Sequence, residues 1–103
     1  MSFPDLLPHL SPAARRDFAD ILQYTFENWG ENQMLAYRGI LLKDLSLIVH
    51  NPGIGHFHPS LSDEFKVFGT GRHLIVYQKR SGVAHVARIL GGSMDIGKHL
   101  EDE

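Results

Sequence analysis

The second half of this chain gathers side chains that could handle an anion. Between residues 65 and 90 stand five basic residues, Lys66, Arg72, Lys79, Arg80 and Arg88, and no acidic one. Arg88 sits within Val83-Ala84-His85-Val86-Ala87-Arg88-Ile89-Leu90, a β-branched, alternating run. A guanidinium is costly to bury there, so it must face solvent, a partner or a groove. Strict alternation puts His85 and Arg88 on opposite faces unless a bulge intervenes, which makes them a poor acid–base pair. His56-Phe57-His58 has the spacing of a metal-binding pair. In a loop without carboxylate or thiolate company it reads as exposed histidines. The chain has no cysteine, which excludes disulfides, thiolate zinc sites and thiol nucleophiles.

These residues need a scaffold, and 103 residues with 43% hydrophobic content suit a single domain over 1–103 with one modest core. The formal net charge of −2 is unevenly spread. Residues 1–50 lean acidic, the 65–90 window is basic, and the end, Glu101-Asp102-Glu103, is acidic. A locally positive half suits an anionic partner. The start lacks a basic segment before an apolar run, and no apolar stretch approaches the ~18–20 residues of a membrane span. A reducing cytoplasm without membrane contact is the expected setting.

Ser11 can cap a helix and Pro12 suits its first position. Ala14, Phe18, Ile21, Leu22, Phe26 and Trp29 then recur at helical spacing, which predicts one buried face, with Asp17 among the residues on the wet side. Gly30 is a good terminator. A second amphipathic helix should run through Met34, Tyr37, Leu41, Leu45 and Ile48 and end near His50, because Asn51 precedes Pro52. Gly39 inside it suggests close helix packing. Residues 51–63 are rich in turn formers. Three strand signals follow, near 65–68, 74–79 and 83–90, joined by short turns into an antiparallel meander. Residues 6–10 could add a poor first strand, opposed by Pro8. The expected class is α+β, an N-terminal helical hairpin packed on a small antiparallel sheet, followed by a short helix or tail.

Leu10-Ser11-Pro12-Ala13-Ala14-Arg15-Arg16-Asp17-Phe18, then Ile21, Tyr24-Thr25, Trp29-Gly30, Gln33 and Tyr37, resemble the N-terminal signature of the ParE toxins, in the RelE/ParE superfamily of bacterial type II toxin–antitoxin modules. Gly71-Arg72-His73-Leu74-Ile75-Val76-Tyr77 resembles the family's central strand, and Arg88-Ile89-Leu90 with Met94-Asp95 and His99-Leu100 its ending. The match runs from about residue 10 to 100. A histidine commonly follows the Arg-Ile-Leu segment in the family, whereas Gly91 stands there in this chain.

The resemblance implies a toxin that binds DNA gyrase and inhibits it without chemistry of its own, as in plasmid stabilisation. It also implies neutralisation by a ParD-like antitoxin in a hetero-oligomer. The alternatives are a RelE-like ribosome-dependent messenger-RNA endoribonuclease and an inactive member that only pairs with antitoxin. Cleavage through a 2′-hydroxyl needs a base, an acid and a cation, and Lys66, Arg72, Tyr77, His85 and Arg88 are the candidates. Low net charge disfavours docking on ribosomal RNA. No catalytic residue, cofactor or metal is therefore expected. Partner contact is expected at Lys66, Arg72, Tyr77, Arg88, Met94 and Asp95, while the helical spacing of Trp29 predicts a core position.

Overall fold

The computed structural model describes residues 3–91. Met94, Asp95 and the expected terminal helix or tail lie outside them. A helical turn, α1 (Phe3–Leu6), runs into a 3-10 turn, Leu7–His9, in place of the expected first strand. Only Leu10 adopts a strand role there, as a single parallel bridge to Val86. Pro8, which has no N–H for a ladder, sits within the 3-10 turn.

Two long helices follow, α2 (Pro12–Trp29) and α3 (Glu31–His50). Ser11 caps α2 by accepting the Ala14 N–H at 3.0 Å. The linker between the helices is Gly30 alone, at φ 87°, a conformation that strains any residue with a side chain. α3 ends at His50, with Asn51 as its C-cap before Pro52, as the sequence predicts.

The meander β1 (Phe65–Thr70), β2 (His73–Arg80) and β3 (Val83–Gly91) forms one antiparallel sheet in the order β1-β2-β3. Leu6, Leu10, Ala14 and Phe18 from the N-terminal half meet Leu41, Leu45 and Ile48 of α3 over Ile75, Tyr77, Ala84, Val86 and Ile89 of the sheet, and all are buried. A smaller cluster, Val67, Val76 and Leu90, occupies the other face with Leu61, Phe65 and Leu74. At roughly 25 cal/mol per Å² of apolar surface, these two clusters are the main source of stability in so small a domain.

Gly39 does not serve close packing. It is exposed, and a methyl group added there meets nothing within 4 Å. Gly39→Ala should therefore stabilise the protein by about 0.5–1 kcal/mol through helix propensity alone. Urea unfolding at unchanged slope checks this, and a loss of stability would show a packing role absent from the structure.

Candidate functional site

β3 departs from strict alternation. The register pairs Val76 with Arg88 but Tyr77 with Val86, leaving Ala87 as an extra residue, a β-bulge. Gln78 lies opposite His85 and Val76 opposite Arg88, so His85 and Arg88 share a face, contrary to simple alternation. The bulge has an identifiable partner. Ser11 Oγ, besides capping α2, donates to the Ala87 carbonyl at 2.7 Å, and the Ser11 N–H donates to the Val86 carbonyl at 2.9 Å. His9 Nδ1 lies 3.0 Å from the Ala84 carbonyl, so it is the protonated ring nitrogen there. The outer edge of β3 is thereby covered by the segment leading into α2.

Asp17 completes this seam. One carboxylate oxygen accepts Arg88 Nε at 2.7 Å and the other accepts a terminal guanidinium nitrogen at 3.0 Å. The first also accepts the Ile89 N–H at 2.9 Å. The side chains of Arg88 and Asp17 are 17% and 14% exposed. Arg88 is thus turned inward to α2 in a forked, charge-assisted pair, and Asp17 is not on the wet side of its helix. An acceptor for Arg88 is required by charge burial, but helical periodicity points Asp17 away from it. Only the bulge and the seam bring the two together.

The other expected contact residues scatter. Tyr77 is fully buried; its hydroxyl donates to the Pro52 carbonyl at 2.7 Å and accepts the Gly55 N–H at 2.9 Å. It ties the 52–55 loop to the sheet and cannot reach a partner, which corrects its expected role. Burial pushes its pKa up, and the Gly55 hydrogen bond opposes this. Lys66 places its ammonium 4.7 Å from the centre of the Phe57 ring, beside Asp63 and Glu64. Arg72 is exposed in the β1–β2 turn, roughly 25 Å from Arg80 along β2 at ~3.3 Å per residue. The basic window therefore splits between the two ends of the sheet. Lys66, Arg72, His85 and Arg88 each line a different cleft.

The cleft at Arg72 is built by α3. The Tyr37 hydroxyl accepts the Arg72 N–H at 2.9 Å and lies within hydrogen-bond reach of His73 Nδ1. The same hydroxyl donates to the Thr70 carbonyl at 3.4 Å, so it ties the His73 ring and the turn backbone to α3. Gly71 is required beneath the ring. It has φ 56°, and a Cβ there would sit 2.6 Å from Tyr37. Burial lowers the His73 pKa, and the Asp17 carboxylate pulls it partly back. Tyr24, Thr25, Trp29 and Gln33 close the cleft, about 250 Å³ in volume. Trp29 and Tyr24 are 57% and 61% exposed and touch edge to face. The expectation that Trp29 is core fails, because its ring stands at the wall of this open cleft.

His56 pairs with Val67 only through its backbone, and His58 Nδ1 accepts the Ser60 N–H. Among the described residues no group of three His, Cys, Asp or Glu could hold a metal, and no helix is long and apolar enough to cross a membrane.

Comparison with known proteins shows the family. The model of the family described as ParE toxin of type II toxin-antitoxin system, parDE, matches residues 9–96. Toxin ParE1 of Caulobacter vibrioides is 32% identical over 92 residues, covering 88% of this chain and 94% of that protein. Toxin ParE1 of Mycobacterium tuberculosis, in strains CDC 1551 and H37Rv, is 28% identical with the same coverage. The molecule is thus a toxin of the type II toxin–antitoxin class. The chain belongs to the ParE toxin family, which implies an antitoxin partner.

Two outcomes follow from these contacts. Asp17→Ala should cost about 3 kcal/mol in urea unfolding, the low end for a buried pair because both side chains keep some solvent. Adding Arg88→Met should return part of that loss, and an additive double variant would refute the coupling. A histidine with a depressed folded pKa binds fewer protons folded than unfolded, so its stability is present above the unfolded value of ~6.5 and is lost as pH falls through the folded one. Stability should drop on acidification below about pH 6.5, and His73→Gln should flatten that drop. An identical pH profile in the variant would rule His73 out.

Proposed function

We propose that this toxin binds DNA gyrase and inhibits it as a protein ligand, in the cytoplasm, and that a ParD-like antitoxin holds it inactive in a hetero-oligomer. Family membership supports the antitoxin, and the family's known role supports gyrase. One observation carries the choice of binding over cleavage. The side chains that RNA cleavage would need do not converge. Tyr77 is sealed under the 52–55 loop and Arg88 is paired with Asp17. Lys66, Arg72 and His85 line separate clefts. General acid–base transfer needs its groups within about 3 Å of the reacting atoms, which this dispersal does not provide.

Among the expected contact positions, Arg72 and Lys66 remain the partner-facing cations of this reading. An interface does not need a convergent site. It needs a few anchoring side chains surrounded by surface that excludes water. The low net charge matters less for a protein partner than for ribosomal RNA.

Purified toxin should inhibit negative supercoiling by gyrase in a dose-dependent manner while leaving messenger RNA intact in a parallel translation reaction. Added antitoxin should reverse the inhibition. Cleaved message with normal supercoiling would overturn the proposal in favour of a ribosome-dependent nuclease.

A further inference from the structure

The cleft between the end of α2 and the β1–β2 turn has features that the fold does not use. Trp29 and Tyr24 leave more than half their surface in water, although each is apolar enough to have been buried. Arg72 is exposed at the same cleft, and Gln33 adds an amide. Among the described residues no carboxylate lines it. The floor is fixed, because the Tyr37 hydroxyl holds the Arg72 backbone and the His73 ring, and Gly71 leaves the room Tyr37 needs. Tryptophan, tyrosine and arginine are the residue types that most often dominate interface energetics, and here they stand together on a rigid base.

Size and charge define the occupant. At about 250 Å³ the cleft is below the ~300–1,000 Å³ typical of small-molecule and cofactor sites. It suits one or two side chains. The aromatic walls favour an apolar side chain, and the Arg72 guanidinium favours a carboxylate next to it. A disordered segment that folds on docking spreads over a large surface, whereas a small preformed cleft suits a protruding loop of a folded partner.

We propose that this cleft is the anchor point for the toxin's target and takes an acidic loop carrying an apolar side chain, with Trp29 and Tyr24 gripping that side chain and Arg72 pairing with the neighbouring carboxylate. The target is taken to be gyrase, so this part rests on the function proposed above.

Trp29 is the chain's single tryptophan and reports on the cleft directly. A tryptophan-free tetrapeptide, two glutamates flanking leucine and phenylalanine, should shift its emission to the blue in a saturable manner. The same peptide with lysines should bind at least about tenfold more weakly, and Arg72→Glu should reverse that order. No saturable shift, or equal response to both peptides, would overturn the assignment. So would stronger quenching by oligothymidylate, which marks a nucleic-acid site, or a shift on concentrating the toxin alone, which marks a second copy. In the supercoiling assay, Trp29→Ala and Arg72→Glu should lose most inhibition yet keep antitoxin binding and helical circular dichroism. If these variants inhibit like the unmodified toxin, the cleft is not the anchor. If the unmodified toxin itself fails to inhibit, gyrase is not the target, and the peptide titration alone decides what the cleft binds.

Discussion

The fold depends on the seam where the start of α2 meets the outer edge of β3. Ser11, the cap of α2, and Asp17, six residues on within it, reach consecutive parts of one strand, the Ala87 carbonyl and then Arg88 with the Ile89 N–H. Each satisfies groups that would otherwise be stranded. The strand edge gains partners without a fourth strand, and the guanidinium inside an apolar run gains a carboxylate. Because the bulge, the cap and the ion pair share these two side chains, they form or fail together.

That seam also sets the character of the surface. It takes Arg88 out of the basic window and leaves the remaining cations at the two ends of the sheet. At one end Lys66 lies over Phe57 among acidic neighbours, and at the other Arg72 stands beside exposed aromatics. The Asp17 carboxylate acts on His73 as well, so the electrostatics of the seam extend to the Tyr37-held turn. The two ends offer different faces to partners, one mixed in charge and one cationic and aromatic.

Local chemistry made most of the architecture readable from the sequence. Ser11-Pro12, the lone Gly30 and Asn51-Pro52 bound the two helices where the structure has them, and the short turns order the meander. What could not be read were features set by distant parts of the chain. No glycine or proline marks the bulge at Ala87, since Ser11 stabilises it from 76 residues away. Asp17 has the helical phase of a solvated residue until β3 lies beside it. Trp29 continues an apolar stripe, and periodicity does not say how far along the helix that stripe stays covered. Residues 6–10 look extended by composition, yet Arg15 binds the Leu7 and Leu10 carbonyls and holds a helical turn there. The site was half visible: Arg72 by charge, its aromatic companions only once the hairpin was placed over the turn.

The separation of 71 residues between Asp17 and Arg88 has a consequence for synthesis. A nascent chain can form both helices early, but β3, whose edge they cover, is the last of the described strands to leave the ribosome. Until then Asp17 has no cation, Ser11 has no bulge to hold, and much of the core has only one wall. A chain built this way has an incomplete core until β3 joins it.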